Sequence, residues 1–168
     1  KRQVGHYWLR TPSLAPKPEI AGYITRTVKE IETFAARVRS GKITAPNGRP
    51  FRHALVIGIG GSALGPQLLA DALRQPGDPI ELRFLDNTDP AGIDRVLAEL
   101  GSDLAGTLVI VTSKSGGTPE TRNGLLEVEA VFAKANLKFG RQAVAITMTS
   151  GSSLFDKAKK DKWLKIFE

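Results

Sequence analysis

The sequence predicts an α/β fold: a three-layer α/β/α sandwich whose five-stranded parallel sheet lies between two layers of helices. Short apolar runs alternate along the chain with longer stretches of helical periodicity, as in a parallel sheet covered by helices. Most of these runs are continuously apolar, which is typical of strands buried on both faces. The connections are long enough for crossovers, and the simplest doubly wound order of five strands is 2-1-3-4-5.

The N-terminal residues are expected to form an irregular segment and one long helix. Residues 1–17 lack a regular pattern, Pro18 suits a first helical turn, and Gly41 suits a helix end. Apolar residues between them recur at three- and four-residue spacing, which predicts one apolar stripe: Ile20, Ile24, Val28, Ile31, Ala35 and Val38. We therefore expect residues 1–41 to form an N-terminal segment with a long helix, and residues 42–168 to form the ligand-binding domain.

The elements of the second part follow in alternation. Apolar runs predict strands at residues 54–57, 80–85, 107–111, 143–148 and 163–167. Helical patterns predict helices at 65–73, from 90, from 119 and at 152–159. Pro90 and Pro119 suit first helical positions, and the preceding residues suit caps: Thr88 or Asp89 for one helix and Thr118 for the other.

Composition and charge exclude several classes of protein. No apolar run approaches the roughly 18 residues of a membrane span, so no membrane partner is expected. The absence of cysteine excludes thiolate chemistry and suits the cytoplasm.

The net charge is +7, with one dense cluster: Lys157, Lys159, Lys160, Lys162 and Lys165. Because aromatic residues are few and no nucleic-acid motif accompanies this cluster, we interpret it as a solvated or partner-facing patch, with no nucleic-acid partner.

A glycine-rich loop, residues 58–62 (Gly-Ile-Gly-Gly-Ser), follows the first predicted strand. Its glycines allow positive φ and close approach of an anion, and Ser62 suits a helix cap or a hydroxyl donor. The loop also fits a loose dinucleotide fingerprint, Gly58-x-Gly60-x-x-Ala63, with Asp86 as the ribose acceptor. In that alternative, Asp86 lies further from the glycine-rich loop than the usual spacing of about 20 residues. The alternative also gives the second loop no role.

The second loop, residues 113–118 (Ser-Lys-Ser-Gly-Gly-Thr), follows the third predicted strand. It combines hydroxyl donors, a flexible backbone that can present N–H groups, and the positive charge of Lys114. This combination predicts a site for a dianionic phosphomonoester, while the Gly-Lys-Ser/Thr order of a nucleotide P-loop is missing. In the order 2-1-3-4-5 both loops leave adjacent strands at their carboxyl ends, where such sheets bind ligands.

Other titratable residues are interpreted as structural. Glu120 can act as a base near the ligand, but its place in a first helical turn favours a dipole-complementing role. His53 and His6 show no spacing to other ligand types. No His-Glu-x-x-His pattern or acid cluster indicates a metal.

Both loops resemble those of bacterial glucose-6-phosphate isomerases. Residues 56–66 (Val-Ile-Gly-Ile-Gly-Gly-Ser-Ala-Leu-Gly-Pro) resemble the first sugar-phosphate loop of that family, and residues 113–121 (Ser-Lys-Ser-Gly-Gly-Thr-Pro-Glu-Thr) resemble its phosphate-grasping loop. The segment Tyr7-Trp8-Leu9-Arg10 and the helix after it are also similar. The resemblance implies the sugar isomerase (SIS) domain, a flavodoxin-like fold, for residues 42–168.

The resemblance also implies a substrate and its contacts. The implied reaction interconverts glucose 6-phosphate and fructose 6-phosphate through a cis-enediol(ate), without a cofactor. The implied sugar-phosphate contacts are Gly61 and Ser62 in the first loop, and Ser113, Lys114, Ser115, Gly116, Gly117 and Thr118 in the second. The family enzyme is expected to be a homodimer.

The family's catalytic base and ring-opening groups lie in a second domain, so no catalytic residue is expected in this chain. We expect the chain to be the N-terminal domain, ending near a linker at Glu168, inactive alone, and exposing apolar surface where the second domain packs. Two alternatives remain at this point: a non-catalytic SIS sugar-phosphate sensor, and a dinucleotide-dependent oxidoreductase that depends on Asp86.

Overall fold

A computed structural model describes residues 5–168. They divide into two units, one ending at Arg37 and the other running Val38–Glu168. The first unit has short 3-10 helices at His6–Leu9 and Pro12–Leu14 and most of the long helix α1, Pro18–Arg39, whose last two residues belong to the second unit. The irregular segment predicted for residues 1–17 is thus partly helical from residue 6, and its residues 1–4 lie outside the described part.

Helix α1 starts at the predicted proline, but its apolar stripe is only partly buried. Ile24 is buried, whereas Val28 and Ile31 are 43% and 46% exposed. The middle of the predicted stripe is therefore open apolar surface.

The second unit contains a five-stranded sheet in the order β2-β1-β3-β4-β5, in which every pair is parallel. This confirms the predicted order. The strands are β1 His53–Ile57, β2 Glu81–Leu85, β3 Thr107–Thr112, β4 Ala143–Ile146 and β5 Lys165–Phe167. The helices are α2 Gly61–Leu73, α3 Pro90–Leu100, α4 Pro119–Lys134 and α5 Ser153–Lys160, with 3-10 helices at Gly101–Gly106 and Phe139–Gln142.

The central strands carry the core. Leu55 and Ile57 of β1 and Val109 and Val111 of β3 are fully buried, as expected for strands covered on both faces. The buried amide of Gln142 donates hydrogen bonds of 3.1 and 2.7 Å to the carbonyls of residues 104 and 107. These bonds tie the two 3-10 helices of the second unit to the start of β3.

The predicted start of α2 is wrong. The helix begins at Gly61 rather than at residue 65, and Pro66 lies inside it. The prediction placed Pro66 in a first turn, where its missing N–H is harmless. Instead, Gly60 is the N-terminal cap residue, with φ 56° and ψ −126°, a conformation that favours glycine. Ser62 therefore lies within the first turn and does not cap the helix.

The other predicted caps have mixed outcomes. Asp89, not Thr88, caps α3 by accepting a 2.9 Å hydrogen bond from the Gly92 N–H. Thr118 occupies the cap position of α4, but its side chain accepts no bond from the helix. Ser152 was predicted as the first residue of the last helix rather than as a cap, but it caps α5 by accepting a 3.3 Å bond from the Phe155 N–H. No helix in residues 5–168 has the length and apolar character needed to cross a membrane.

Candidate functional site

The two predicted loops begin side by side at the carboxyl edge of the sheet. Ile57, the last residue of β1, is paired with Val111 near the end of β3. A Cβ atom on Gly58 would lie 3.4 Å from the Thr112 carbonyl oxygen and 3.0 Å from the Ser62 Cβ. The absence of a side chain at Gly58 therefore lets the first loop pass closely against the end of β3.

The first loop presents backbone donors at the start of α2. The N–H groups of Ala63 and Leu64 already donate to the Gly60 carbonyl, at 3.0 and 2.9 Å. The N–H groups of Gly60 and Gly61 have no acceptor among the described residues, and both glycines are exposed. Unpaired N–H groups and the helix dipole together favour an anion at this position.

The second loop is folded around its own hydroxyl groups. The buried Ser113 Oγ accepts a 3.1 Å hydrogen bond from the Gly116 N–H and lies 3.4 Å from the Thr118 Oγ1. The Ser115 Oγ accepts a 3.2 Å bond from the Gly117 N–H. Because Thr118 does not cap α4, its hydroxyl and that of Ser113 remain able to donate to a ligand.

The segment that joins β4 to α5 supports the second loop from behind. The Lys114 carbonyl accepts bonds from the Met148 N–H at 3.1 Å and the Thr147 Oγ1 at 3.2 Å. The Ser115 carbonyl accepts a 3.0 Å bond from the Ser153 N–H. These bonds satisfy both carbonyls, so the loop is held on the side of α5 by groups outside its own sequence.

Sequence reasoning missed this support. Thr147 and Ser152 are buried, and their hydroxyl oxygens lie 2.5 Å apart. The available signal was the concentration of hydroxyl residues between 147 and 153, five of the seven. This segment follows the fourth strand and so reaches the same edge of the sheet.

Glycine is required at position 116 for a packing reason. Gly116 has a φ of 73°, and a Cβ atom there would overlap the backbone nitrogen of Leu154. Gly117 has no such φ, and its added Cβ would lie 3.4 Å from the Ser115 Oγ. The two adjacent glycines therefore have different roles, although the sequence presents them as a pair.

Lys114 places one positive charge in the second loop. Lys114 is exposed, and no carboxylate among the described residues pairs with its amino group. The N-terminal ends of α2 and α4 lie at the same edge and add the partial positive charge of their dipoles. Glu120 lies half-buried in the first turn of α4, as its predicted dipole-complementing role requires.

The remaining sequence candidates lie elsewhere or have other partners. The Asp86 carboxylate accepts bonds from the amides of Gln67 at 2.8 Å and Asn87 at 3.0 Å, so it is already engaged in the structure. His53 begins β1 at the opposite edge of the sheet, with its ring nitrogens 3.6 Å from Glu81 and 3.4 Å from Asp103. His6 belongs to the other unit and contacts the Tyr7 ring.

Comparisons with known proteins agree with one another. The family model of phosphoglucose isomerase matches residues 1–161. The glucose-6-phosphate isomerase of Geobacter sulfurreducens is 59% identical over 164 residues, which is 97% of this chain and 31% of that protein. The glucose-6-phosphate isomerase of a Nostoc species is 54% identical over 166 residues, or 99% of this chain and 31% of that protein.

A solved structure extends the comparison to the fold. The crystal structure of a glucose-6-phosphate isomerase from Chlamydia trachomatis superposes with a TM-score of 0.79 at 28% identity, covering 99% of this chain and 31% of that one. The chain thus spans about a third of the length of the relatives that it matches.

Proposed function

The chain belongs to the phosphoglucose isomerase family, and from that premise we propose that residues 42–168 are the sugar-phosphate-binding domain of a glucose-6-phosphate isomerase. The observation that carries this proposal is the meeting of two donor-rich loops at one edge of the sheet. Their adjacency follows from the pairing of β1 with β3, and this edge is where parallel sheets bind ligands.

The second loop is proposed to hold the phosphate. A phosphomonoester is a dianion with three strongly accepting oxygens. The proposed donors are the hydroxyls of Ser113, Ser115 and Thr118 and the amino group of Lys114. Gly116 and Gly117 are further proposed contacts, whose N–H groups would exchange the hydroxyl oxygens of Ser113 and Ser115 for phosphate oxygens. The uncommitted charge of Lys114 and the proximity of Ser113 to Thr118 support this assignment.

The first loop is proposed to contact the sugar phosphate through Gly61 and Ser62. Support comes from the unpaired N–H groups of the exposed residues Gly60 and Gly61 and from the position of Ser62 in the first turn of α2. An anion bound between the loops would face the N-terminal ends of both α2 and α4, which favours negative charge.

The proposed reaction interconverts glucose 6-phosphate and fructose 6-phosphate. A proton moves between C1 and C2 through a cis-enediol(ate), which requires a base and charge stabilisation but no cofactor. Binding of the phosphate fixes one end of the open-chain sugar. We therefore propose that this domain helps to lower the activation barrier by positioning the substrate. We assign no base in this chain and propose that the chain alone is inactive.

Open apolar surface supports a role within a larger protein. Four leucines of α2 are between 60% and 69% exposed: Leu64, Leu68, Leu69 and Leu73. A patch of this kind is typical of a surface that another protein segment covers. We propose that the whole enzyme is a cytoplasmic homodimer in which further polypeptide packs on this face.

The lysine-rich C-terminal part is proposed to have no nucleic-acid role. The Lys157 amino group lies 2.9 Å from both Glu129 and Asp161. Lys159 lies over the ring of Phe155, 5.3 Å from its centroid. Two lysines of the cluster thus already have partners within the domain.

Calorimetric titration with glucose 6-phosphate tests the proposal. We expect the wild-type chain to bind, Lys114→Ala to lose about tenfold or more in affinity because a charge-assisted bond to a dianion is removed, and Lys138→Ala to bind like the wild type. Lys138 is a matched control, since it is exposed and lies outside both loops. Equal affinity of wild type and Lys114→Ala contradicts the phosphate assignment, and enzyme-like turnover by the chain alone contradicts the proposed inactivity.

A further inference from the structure

A second pocket lies behind the phosphate loop, between α4 and α5. Its volume is about 280 Å³. Its apolar wall includes Val111, Leu125 and Leu154, which are buried. Its polar lining residues include Ser153 and Arg122, and the loop itself contributes Ser113. A largely apolar cavity with a few convergent polar groups is the usual form of a small-molecule site.

The charges around this pocket select the kind of ligand. Lys157 also lines it, but its amino group is paired with Glu129 and Asp161, at 2.9 Å each. Arg122 is exposed and has no carboxylate partner within residues 5–168. One uncommitted guanidinium beside an apolar wall is complementary to one carboxylate attached to an apolar body.

From this arrangement we propose that the α4–α5 pocket binds a small apolar monocarboxylate, with its carboxylate on Arg122 and its apolar body against Leu125 and Leu154. The Ser113 Oγ already accepts from the Gly116 N–H, so its own proton is available to the ligand. The same hydroxyl belongs to the proposed phosphate site. The bound carboxylate therefore competes for that donor and weakens phosphate binding, a consequence that rests on the proposed function.

Titration of the 168-residue chain with benzoate, followed by amide chemical shifts, tests the site. Benzoate combines one carboxylate with a compact apolar ring. We expect saturable shifts at residues that line the pocket, including Leu126 and Ser153. Arg122→Gln is expected to weaken benzoate binding about tenfold. Arg95→Gln, which changes an exposed arginine on α3, is expected to bind benzoate like the wild type.

Two further titrations separate this site from the phosphate loop. Lys114→Ala should bind benzoate like the wild type, because Lys114 does not line the pocket. Saturating benzoate should weaken the binding of inorganic phosphate by about fivefold, a typical coupling between sites.

Three outcomes would overturn the proposed site: no saturable shifts, equal benzoate binding by Arg122→Gln and wild type, or loss of benzoate binding in Lys114→Ala. An unchanged phosphate affinity would overturn the coupling. Failure of phosphate to bind at all is a failure of the proposed function, and the benzoate titration still decides the pocket.

Discussion

The two glycine-rich loops reach the same edge of the sheet but are built in different ways. The second loop is packed against the start of α5, and its carbonyls at residues 114 and 115 accept bonds from that neighbouring segment. The first loop has open space around Gly60 and Gly61, and unused N–H groups. The second loop is thus fixed by tertiary contacts along its length, whereas the first loop is open at Gly60 and Gly61.

The largest difference is expected within the second loop, between its two glycines. Gly116→Ala combines a left-handed φ with overlap against the backbone of Leu154, so it should lower the free energy of unfolding by about 4 kcal/mol. Gly117→Ala should cost less than about 1 kcal/mol, because its φ is not left-handed and only a hydroxyl approaches it. Urea unfolding of both variants measures the difference. Equal destabilisation would show that the contact with α5 does not fix the loop.

At Gly60 and Gly61 of the first loop, only backbone strain should act. Gly60→Ala adds a Cβ to a residue with φ 56° but meets no atom within 4 Å, so we expect a loss of about 2 kcal/mol. Gly61→Ala is the matched control, since Gly61 is the first residue of α2 and also meets open space. It should be neutral or slightly stabilising. The same urea measurements apply, and a loss for Gly60→Ala as large as that for Gly116→Ala would contradict the contrast between the loops.

Serines near each loop extend the comparison. Ser152→Ala removes both the cap of α5 and a buried partner of Thr147, and should cost about 1–2 kcal/mol. Ser62→Ala removes no cap and no hydrogen bond that holds the first loop, and should change the free energy of unfolding by less than about 0.5 kcal/mol. Thermal unfolding monitored by circular dichroism measures both losses of stability. A larger loss for Ser62→Ala than for Ser152→Ala would contradict the conclusion that neighbouring hydroxyl groups support the second loop and not the first.

The sheet order and the position of both loops were predictable because their signals are local. The continuous apolar runs around Leu55 and Val109 identify buried strands, and the order then places the two loops together. The start of α2 was not predictable from Pro66, since proline suits a first turn better than a helix interior. The structure instead begins the helix at Gly61 by using the positive φ of Gly60.

The hydroxyl residues between 147 and 153 mark the segment that supports the second loop, but local patterns do not predict the bonds that it makes. Ser153 and Ser115 are bonded across 38 positions of the sequence, and the clash that requires Gly116 arises only when α5 is in place. The side chain of Thr118 was also not predictable from its neighbours in the sequence. Its sequence context is that of an ordinary helix cap, but its hydroxyl lies beside the hydroxyl of Ser113 and accepts no bond from α4.

The smallest expected effect concerns the ion pairs at Lys157 on α5, behind the second loop. Burial lowers the pKa of Lys157, but hydrogen bonds to Asp161 and Glu129 outweigh it and leave the pKa above its ordinary value of 10.5. The ion pairs therefore stabilise the fold fully below the unfolded-state pKa and are lost as pH rises through the folded-state pKa. Since the group is partly exposed, we expect less than about 0.5 kcal/mol.

Urea unfolding of Lys157→Met and wild type between pH 8 and about pH 11.5 measures this contribution. The difference in free energy of unfolding should stay constant up to about pH 10 and shrink above it. Lys138→Met, at an exposed lysine, should show no such change. A difference that grows with pH would mean that burial dominates at Lys157, and the support of α5 would then rest on the Ser152 cap and the contacts to residues 114 and 115 alone.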